Sequence, residues 1–190
     1  MADLADSRVL AIASNLGVEQ NTMKLPLEYL HAAGALIGIA APELGPVHTV
    51  DPEDAEGQCF TADQTLEEVS EHDYDLLLVP GGLLNADLLR TNLFAQRIVN
   101  VFAAEHKPIA AAGHAPWLLV NSRLVNGKSL TSSPSLRADL ENAGGSWRAE
   151  PVVICTALDW PLVTTRGPEE AGHFIKAIDT ALAQQLNTSS

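Results

Sequence analysis

Short apolar runs alternate along the chain with longer segments in which apolar residues recur every three or four positions. Compact apolar runs of about five residues are typical of buried strands in a parallel sheet. They predict strands at 8–13, 35–40, 75–79, 107–112, 152–156 and 161–165. Apolar positions at helical spacing predict helices that pack on one face. These helices are expected at 21–33, 65–70, 85–90, 91–106, after the turn at 113, at 135–143 and at 169–185.

The order of these elements predicts an α/β fold. We expect a single-domain, doubly wound, mostly parallel sheet flanked by helices, a flavodoxin-like three-layer sandwich. Residues 42–61 are rich in proline, glycine and acidic residues, so they predict a loop or hairpin over one edge of the sheet. The chain of 190 residues is long enough for one sizeable core and shows no internal repeat. The domain is expected over 1–190, with a core of about 7–186 and a polar C-terminal tail.

Residues 107–120 form the stretch around which the chain is organised: a strand, a sharp turn and a helix. Gly113 stands at the tip of the turn, with small residues two positions before it, Ala111, and two after it, Ala115. This spacing is typical of a nucleophile elbow, in which helix amides favour an anion or developing oxyanion. Gly113 is interpreted either as a glycine that supplies a positive φ, or as the remnant of a strained nucleophile that was lost. In both cases it performs no nucleophilic chemistry.

Composition and charge exclude several classes of partner. With 24 acidic and 11 basic residues the net charge is −13, which repels a phosphate backbone, so no nucleic acid partner is expected. No apolar run is long enough to span a membrane, and the N-terminus lacks the features of a signal peptide, which predicts a cytoplasmic protein. Cys59 and Cys155 are expected as reduced thiols, Cys155 as a packed core residue. The histidines lack metal-ligand spacing, so neither a metal nor a cofactor is expected.

Several segments resemble one family in the right order along nearly the whole chain. They are Ala-Ala-Gly-His-Ala-Pro-Trp-Leu-Leu at 111–119, Tyr-Asp-Leu-Leu-Leu-Val-Pro-Gly-Gly at 74–82, and the segments 85–90, 130–135, 142–144 and 162–168. The family is the PfpI/DJ-type family of intracellular proteases, deglycases and general stress proteins, within the class I glutamine amidotransferase-like superfamily. Its elbow usually reads Ala-x-Cys-His-Gly-Pro, so Gly113 stands where the resemblance implies a cysteine.

The resemblance also implies roles for other positions. The family loop Gly-Val-Glu-x-x-Glu places its second glutamate, the partner of the cysteine, at Thr22, which suggests that this carboxyl group is lost. The amides of Gly81 and Gly82 are expected to form part of an oxyanion pocket facing the elbow. Asp87 matches an acidic residue that reaches the histidine after the elbow, His114, from a neighbouring subunit. A homo-oligomer is therefore expected, most often a dimer.

The losses at positions 22 and 113 predict a non-catalytic family member with a role in stress response or small-molecule binding. Its pocket for a small molecule or anion is expected at Gly81, Gly82, Gly113, His114 and Ala115. The alternative is a hydrolase, deglycase or lyase-like enzyme in which His114 and Asp87 activate a water molecule. A third interpretation, a mutation introduced at position 113, is opposed by position 22, because one change would leave the glutamate in place.

Overall fold

The computed structural model describes residues 4–5, 7–51 and 57–188. The strands are β1 (Arg8–Ile12), β2 (Val18–Glu19), β3 (Leu36–Ala41), β4 (Gly45–Val50), β5 (Cys59–Ala62), β6 (Gln64–Thr65), β7 (Leu76–Val79), β8 (Ile109–Ala112), β9 (Ser129–Leu130), β10 (Ser146–Trp147), β11 (Val152–Cys155) and β12 (Leu162–Thr165). The helices are α1 (Gln20–Ala32), α2 (Leu83–Thr91), α3 (Leu93–Ala104), α4 (Pro116–Asn121), α5 (Arg137–Asn142) and α6 (Ala171–Thr188).

A central seven-stranded sheet organises the molecule, in the order β11, β12, β8, β7, β1, β3, β6. Every neighbouring pair in it is parallel except β11 and β12, which form an antiparallel pair at one edge. The predicted α/β fold with a mostly parallel, doubly wound sheet is thereby confirmed. Strand β8 lies in the interior of the sheet, between β12 and β7, so the turn that follows it opens at the carboxyl ends of the central strands.

Each face of the sheet carries its own apolar core. On β1, Leu10 and Ile12 point into the core beneath α2, α3 and α4, whereas Val9 and Ala11 point into the core beneath α1 and α6. Successive side chains of a strand alternate between faces, so an unbroken apolar run is what a sheet covered on both sides requires. Burying one leucine side chain stabilises the folded state by about 1.5–3 kcal/mol relative to leaving it in water. The two cores therefore hold the central strands in register.

The chain between β3 and β7 departs from the sequence-based expectation. The predicted edge hairpin is present as β4 paired with β5, although residues 52–56 lie outside the described residues. The predicted helix at 65–70 is wrong: Thr65 belongs to β6, and the chain then makes a turn. Thr65 and Glu68 do form the reciprocal hydrogen bonds of a capping box, but pairing of β6 with β3 holds the start of this segment extended.

Within the described residues, no helix combines the length and apolar character needed to cross a membrane.

Candidate functional site

The predicted strand, turn and helix are present at the centre of the sheet. Gly113 follows β8 with φ of +56°, in the left-handed region, and α4 begins at Pro116. The N–H of Gly113 donates to the carbonyl oxygen of Thr165 (3.0 Å), and its own carbonyl oxygen accepts from the N–H of Ser133 (2.9 Å). The tip is therefore held on both sides by backbone hydrogen bonds.

The tip has room for a side chain that it does not carry. A Cβ atom added to Gly113 would lie 3.5 Å from Oε2 of Glu19 and 3.7 Å from the carbonyl oxygen of Arg166, which are ordinary van der Waals distances. The positive φ is therefore the feature that favours glycine, because L side chains adopt this conformation only with strain. A residue larger than glycine is disfavoured by the backbone, not by its neighbours.

A cleft of about 390 Å³, named here the elbow cleft, opens beside the tip. It is lined by Glu19, Gly113, His114, Ser133, Pro134, Arg166, Gly167, Pro168, Glu169 and Glu170. Of the five residues predicted to form the pocket, Gly113 and His114 line this cleft. Gly81, Gly82 and Ala115 do not, and the contacts described below explain why.

Glu19 supplies a carboxyl group at the tip. Its N–H donates to the carbonyl oxygen of Gly81 (3.0 Å) at the start of α1, and its side chain lines the elbow cleft. Position 22 carries no carboxyl group, as expected, but Glu19 places a different carboxyl group beside the tip. The signal in the sequence was Glu19 itself, the glutamate of the segment Gly-Val-Glu at 17–19. The sequence analysis considered only position 22.

Burial, and to a smaller extent the negative charge of Glu169, raise the pKa of the Glu19 carboxyl to about 7. Burial penalises the charged form of an acid, and a like charge adds to that penalty. Glu19 is therefore partly protonated near neutral pH. A carboxyl group in this state can both donate and accept a proton, which is the property required of a general acid or base.

Thr22 occupies the site of the expected second glutamate but has a structural role. Its Oγ1 donates to the carbonyl oxygen of Glu19 (2.8 Å) and accepts the N–H of Gly81 (2.8 Å). The Gly81 amide is thus already hydrogen-bonded, contrary to the expectation that it serves an oxyanion. A Cβ atom on Gly81 would lie 2.6 Å from Oε2 of Glu19, so this glycine leaves room for the carboxyl group.

Gly82 and Ala115 also have structural roles. Gly82 has φ of +110°, and a Cβ atom there would collide with the carbonyl oxygen of Gly17, so the absence of a side chain lets two loops meet. Ala115 is buried, with an N–H that donates to the carbonyl oxygen of Ala112 (2.9 Å). Both residues support the loops behind the cleft instead of forming its wall.

Asn85 is a buried polar residue that sequence reasoning missed. Its Oδ1 accepts the N–H of Ser14 (2.7 Å), and its Nδ2 donates to the carbonyl oxygens of Pro80 (2.9 Å) and Gly81 (3.2 Å). These bonds join the end of β1 to the turn between β7 and α2. The only available signal was a polar side chain three residues after the double glycine, a position that helix periodicity alone does not distinguish from a surface residue.

His114 lines the cleft, but Asp87 does not. Burial lowers the pKa of His114, so its imidazole is neutral at neutral pH. Its Nε2 lies 3.2 Å from Oγ of Ser135, and its ring centroid lies 5.8 Å from that of Trp117. Asp87 is exposed on α2 and is not among the cleft residues. Within one chain the structure does not bring the predicted pair together, and a pairing between subunits stays a prediction.

The remaining charged groups make the cleft acidic. Arg166 is paired with Glu170 through Nη2 and Oε1 (2.5 Å), and this hydrogen bond lowers the pKa of Glu170. Glu19 and Glu169 are additional carboxyl groups of the same cleft. These carboxyl groups would repel an anionic ligand, and the guanidinium of Arg166, which could attract it, is already paired with Glu170.

Neither cysteine lines the cleft. Cys59 is exposed on β5, and Cys155 is buried at the end of β11, where its Sγ accepts the N–H of Ser129 (3.3 Å). The prediction of a packed Cys155 is confirmed. Across the described ranges, His, Cys, Asp and Glu side chains form no group of three or more suited to a metal ion.

Comparison with known proteins identifies the family. The sequence profile of the DJ-1/PfpI family matches residues 7–181. General stress protein 18 of Bacillus subtilis is 35% identical over 114 residues, a match that spans 60% of this chain and 64% of that protein. Deglycase TK1284 of Thermococcus kodakarensis is 27% identical over 161 residues, 85% of this chain and 90% of that protein.

A solved structure agrees with these sequence matches. DJ-1beta of Drosophila melanogaster superposes with a TM-score of 0.79 at 25% identity, covering 99% of this chain and 95% of that chain. The similarity therefore extends over the central sheet, both helical layers and the turn that carries Gly113. The chain belongs to the DJ-1/PfpI family.

Proposed function

We propose that this chain is a non-catalytic member of its family that binds a small molecule in the elbow cleft, with a role in stress response. The observation that carries the proposal is the empty tip: Gly113 has no side chain, and neither Cys59 nor Cys155 lines the cleft. Covalent chemistry at an elbow needs a nucleophile at that point. The family includes proteins named as stress proteins and as deglycases, and the stress proteins support the proposed role in stress response.

The ligand we propose is uncharged and polar. The carboxyl groups of Glu19 and Glu169 oppose an anion, and Arg166 is already paired with Glu170. Near neutral pH a protonated Glu19 can donate a hydrogen bond, and a neutral His114 can donate or accept one. A small aldehyde or amide offers the matching carbonyl oxygen, so we favour these compounds over the anion that the sequence alone left open.

Turnover on methylglyoxal and on peptide substrates tests this proposal. The wild-type protein is expected to show none, whereas Gly113→Cys would place a thiol beside the carboxyl of Glu19 and is expected to gain activity. Gly113→Ala is the matched control, because it imposes the same backbone strain without a thiol. Robust turnover by the wild-type protein would overturn the proposal. A thermal-shift screen of small aldehydes, amides and carboxylates identifies the ligand class, with stabilisation expected for the first two.

A second candidate function is acid–base catalysis without a thiol. It is favoured by the carboxyl of Glu19, with a pKa of about 7, in the same cleft as His114. General acid–base assistance contributes about 10²–10⁴-fold to a rate. In this version Glu19 takes the part that sequence reasoning assigned to Asp87. Any wild-type hydrolase, deglycase or lyase activity would then fall by at least about tenfold in Glu19→Gln and in His114→Ala, and an unchanged rate in both variants would exclude it.

We also propose that the chain forms a homodimer. Large apolar side chains are exposed on α2 and on the loop before β2, namely Leu83, Leu84, Leu88 and Leu16. Asp87 lies on the same helix, where a second copy would bring it towards the partner's His114. Size-exclusion chromatography with light scattering measures the mass of the assembly. A monomer at micromolar concentration would contradict this proposal.

A further inference from the structure

A second cavity lies at the opposite end of the sheet from the elbow cleft. Its volume is about 360 Å³, within the range of small-molecule sites. Arg8 begins β1, Leu36 begins β3 and Tyr74 precedes β7, so the cavity opens at the amino ends of these strands. We name it the amino-end cavity.

The absence of a side chain at Gly38 shapes the floor of this cavity. A Cβ atom there would lie 2.5 Å from the hydroxyl oxygen of Tyr74 and 2.9 Å from Nε2 of Gln64. Gln64 Nε2 donates to the Tyr74 hydroxyl oxygen at 2.6 Å. Because that hydroxyl accepts from Gln64, its own hydrogen remains available to donate to a ligand.

Two opposite charges line the same cavity. The guanidinium of Arg8 lies 5.7 Å from the centre of the Tyr74 ring, and no carboxylate of the described residues lies within ion-pair distance of it. Asp63 accepts the N–H of Ile39 through Oδ1 (3.2 Å), which leaves its second oxygen for another donor. In the part of the chain that the structure describes, Asp63 likewise has no ion-pair partner.

These charges are separated along β3. Arg8 is level with Leu36 in the strand register, whereas Asp63 bonds to Ile39, three residues further along the strand. At about 3.3 Å per residue this is about 10 Å between backbone levels. Because Arg8 and Asp63 both line one cavity of this size, a single small molecule can contact both. Leu36, which is exposed and level with Arg8, supplies apolar surface at that end of the cavity.

We propose that the amino-end cavity binds a free α-amino acid with an apolar side chain. Its carboxylate pairs with Arg8 and accepts the hydroxyl hydrogen of Tyr74, its ammonium group pairs with Asp63, and its side chain packs on Leu36. A ligand that carried only a negative charge would meet Asp63 unpaired, and one that carried only a positive charge would meet Arg8. A zwitterion satisfies both charges at once, and charge-assisted hydrogen bonds are the stronger ones.

Titration with L-leucine, followed by isothermal calorimetry and by NMR shifts, tests the proposal. Saturable binding is expected, weakened by at least about tenfold for leucine methyl ester, which lacks the carboxylate, and for N-acetylleucine, which lacks the ammonium group. Arg8→Gln and Asp63→Asn are each expected to weaken leucine binding by the same factor. The asparagine retains an oxygen for the N–H of Ile39, so the edge of the sheet stays paired.

Controls separate this site from the rest of the surface. Arg148→Gln removes another exposed arginine, and Glu19→Gln changes the elbow cleft; both are expected to bind leucine as the wild type does. Tyr74→Phe keeps the ring and removes only the hydroxyl, so it is expected to weaken binding in a protein that folds normally. Absence of saturable binding by leucine, valine and phenylalanine overturns the proposal. Equal binding of leucine and its two blocked derivatives, or unchanged binding by Arg8→Gln and Asp63→Asn, also overturns it.

Discussion

The partly buried carboxyl of Glu19 predicts a pH-dependent stability that a single substitution removes. Its pKa is raised from 4.5 to about 7 in the folded protein. Between these values the native state binds a proton that the unfolded state has released, so the free energy of unfolding falls as pH rises. The contribution is fully present below about pH 4.5 and is lost as pH rises through about 7. Glu19→Gln mimics the protonated form at every pH and therefore removes this dependence.

The expected magnitude follows from the displaced pKa. A change from 4.5 to about 7 corresponds to about 3 kcal/mol at about 1.36 kcal/mol per pKa unit. Glu19 is only partly buried, and solvent screens the charge, which reduces the value to about 2 kcal/mol. Glu19→Gln is thus expected to match the wild type near pH 4.5 and to exceed its unfolding free energy by about 2 kcal/mol at pH 8.

Urea denaturation of both proteins at pH 4.5, 6, 7 and 8 measures this difference directly. Charged neighbours that line the same cleft, Arg166, Glu169 and Glu170, are present in both proteins. Subtracting the unfolding free energy of one protein from that of the other at each pH cancels most of the contribution from the other titratable groups. Glu28→Gln, an exposed site on α1, the helix that follows Glu19, is the matched control and is expected to differ little between pH values. A difference between Glu19→Gln and wild type that stays constant from pH 4.5 to 8 would show that the Glu19 carboxyl does not have a raised pKa.

Three further substitutions test the loops that support the elbow cleft, each by chemical denaturation. Gly82→Ala forces a Cβ atom against the carbonyl oxygen of Gly17 at a positive φ and is expected to cost about 3 kcal/mol or more. Gly172→Ala, on α6 with open space around it, is the control and is expected to be neutral or to stabilise by up to about 1 kcal/mol. Asn85→Ala removes hydrogen bonds at both ends of a buried amide and is expected to cost about 2–4 kcal/mol; a loss below about 0.5 kcal/mol would contradict its role. Gly113→Ala fits sterically and is expected to cost only about 1–2 kcal/mol of backbone strain, and complete unfolding would show that the space at the tip is occupied.

The elements that local pattern specifies were predictable from the sequence. The apolar run that becomes β8, the small residues around Gly113 and the helix that follows all depend on neighbours within a few positions. The antiparallel pair of β11 and β12 is similarly local, because a short connection joins two apolar runs. The helix expected at 65–70 failed for the converse reason, since pairing with β3 overrode a local capping signal.

The chemistry of the elbow cleft depended on contacts between distant parts of the chain. Sequence alone determined that no side chain stands at position 113 and that position 22 carries no carboxyl group. Only the tertiary structure brought Glu19 to the tip and engaged the amide of Gly81, because that amide meets Thr22 across 59 positions of sequence. The direction of a side chain at the end of a strand is set by the loops that pack around it, and in this protein the residues that line the elbow cleft come from four separate segments of the chain.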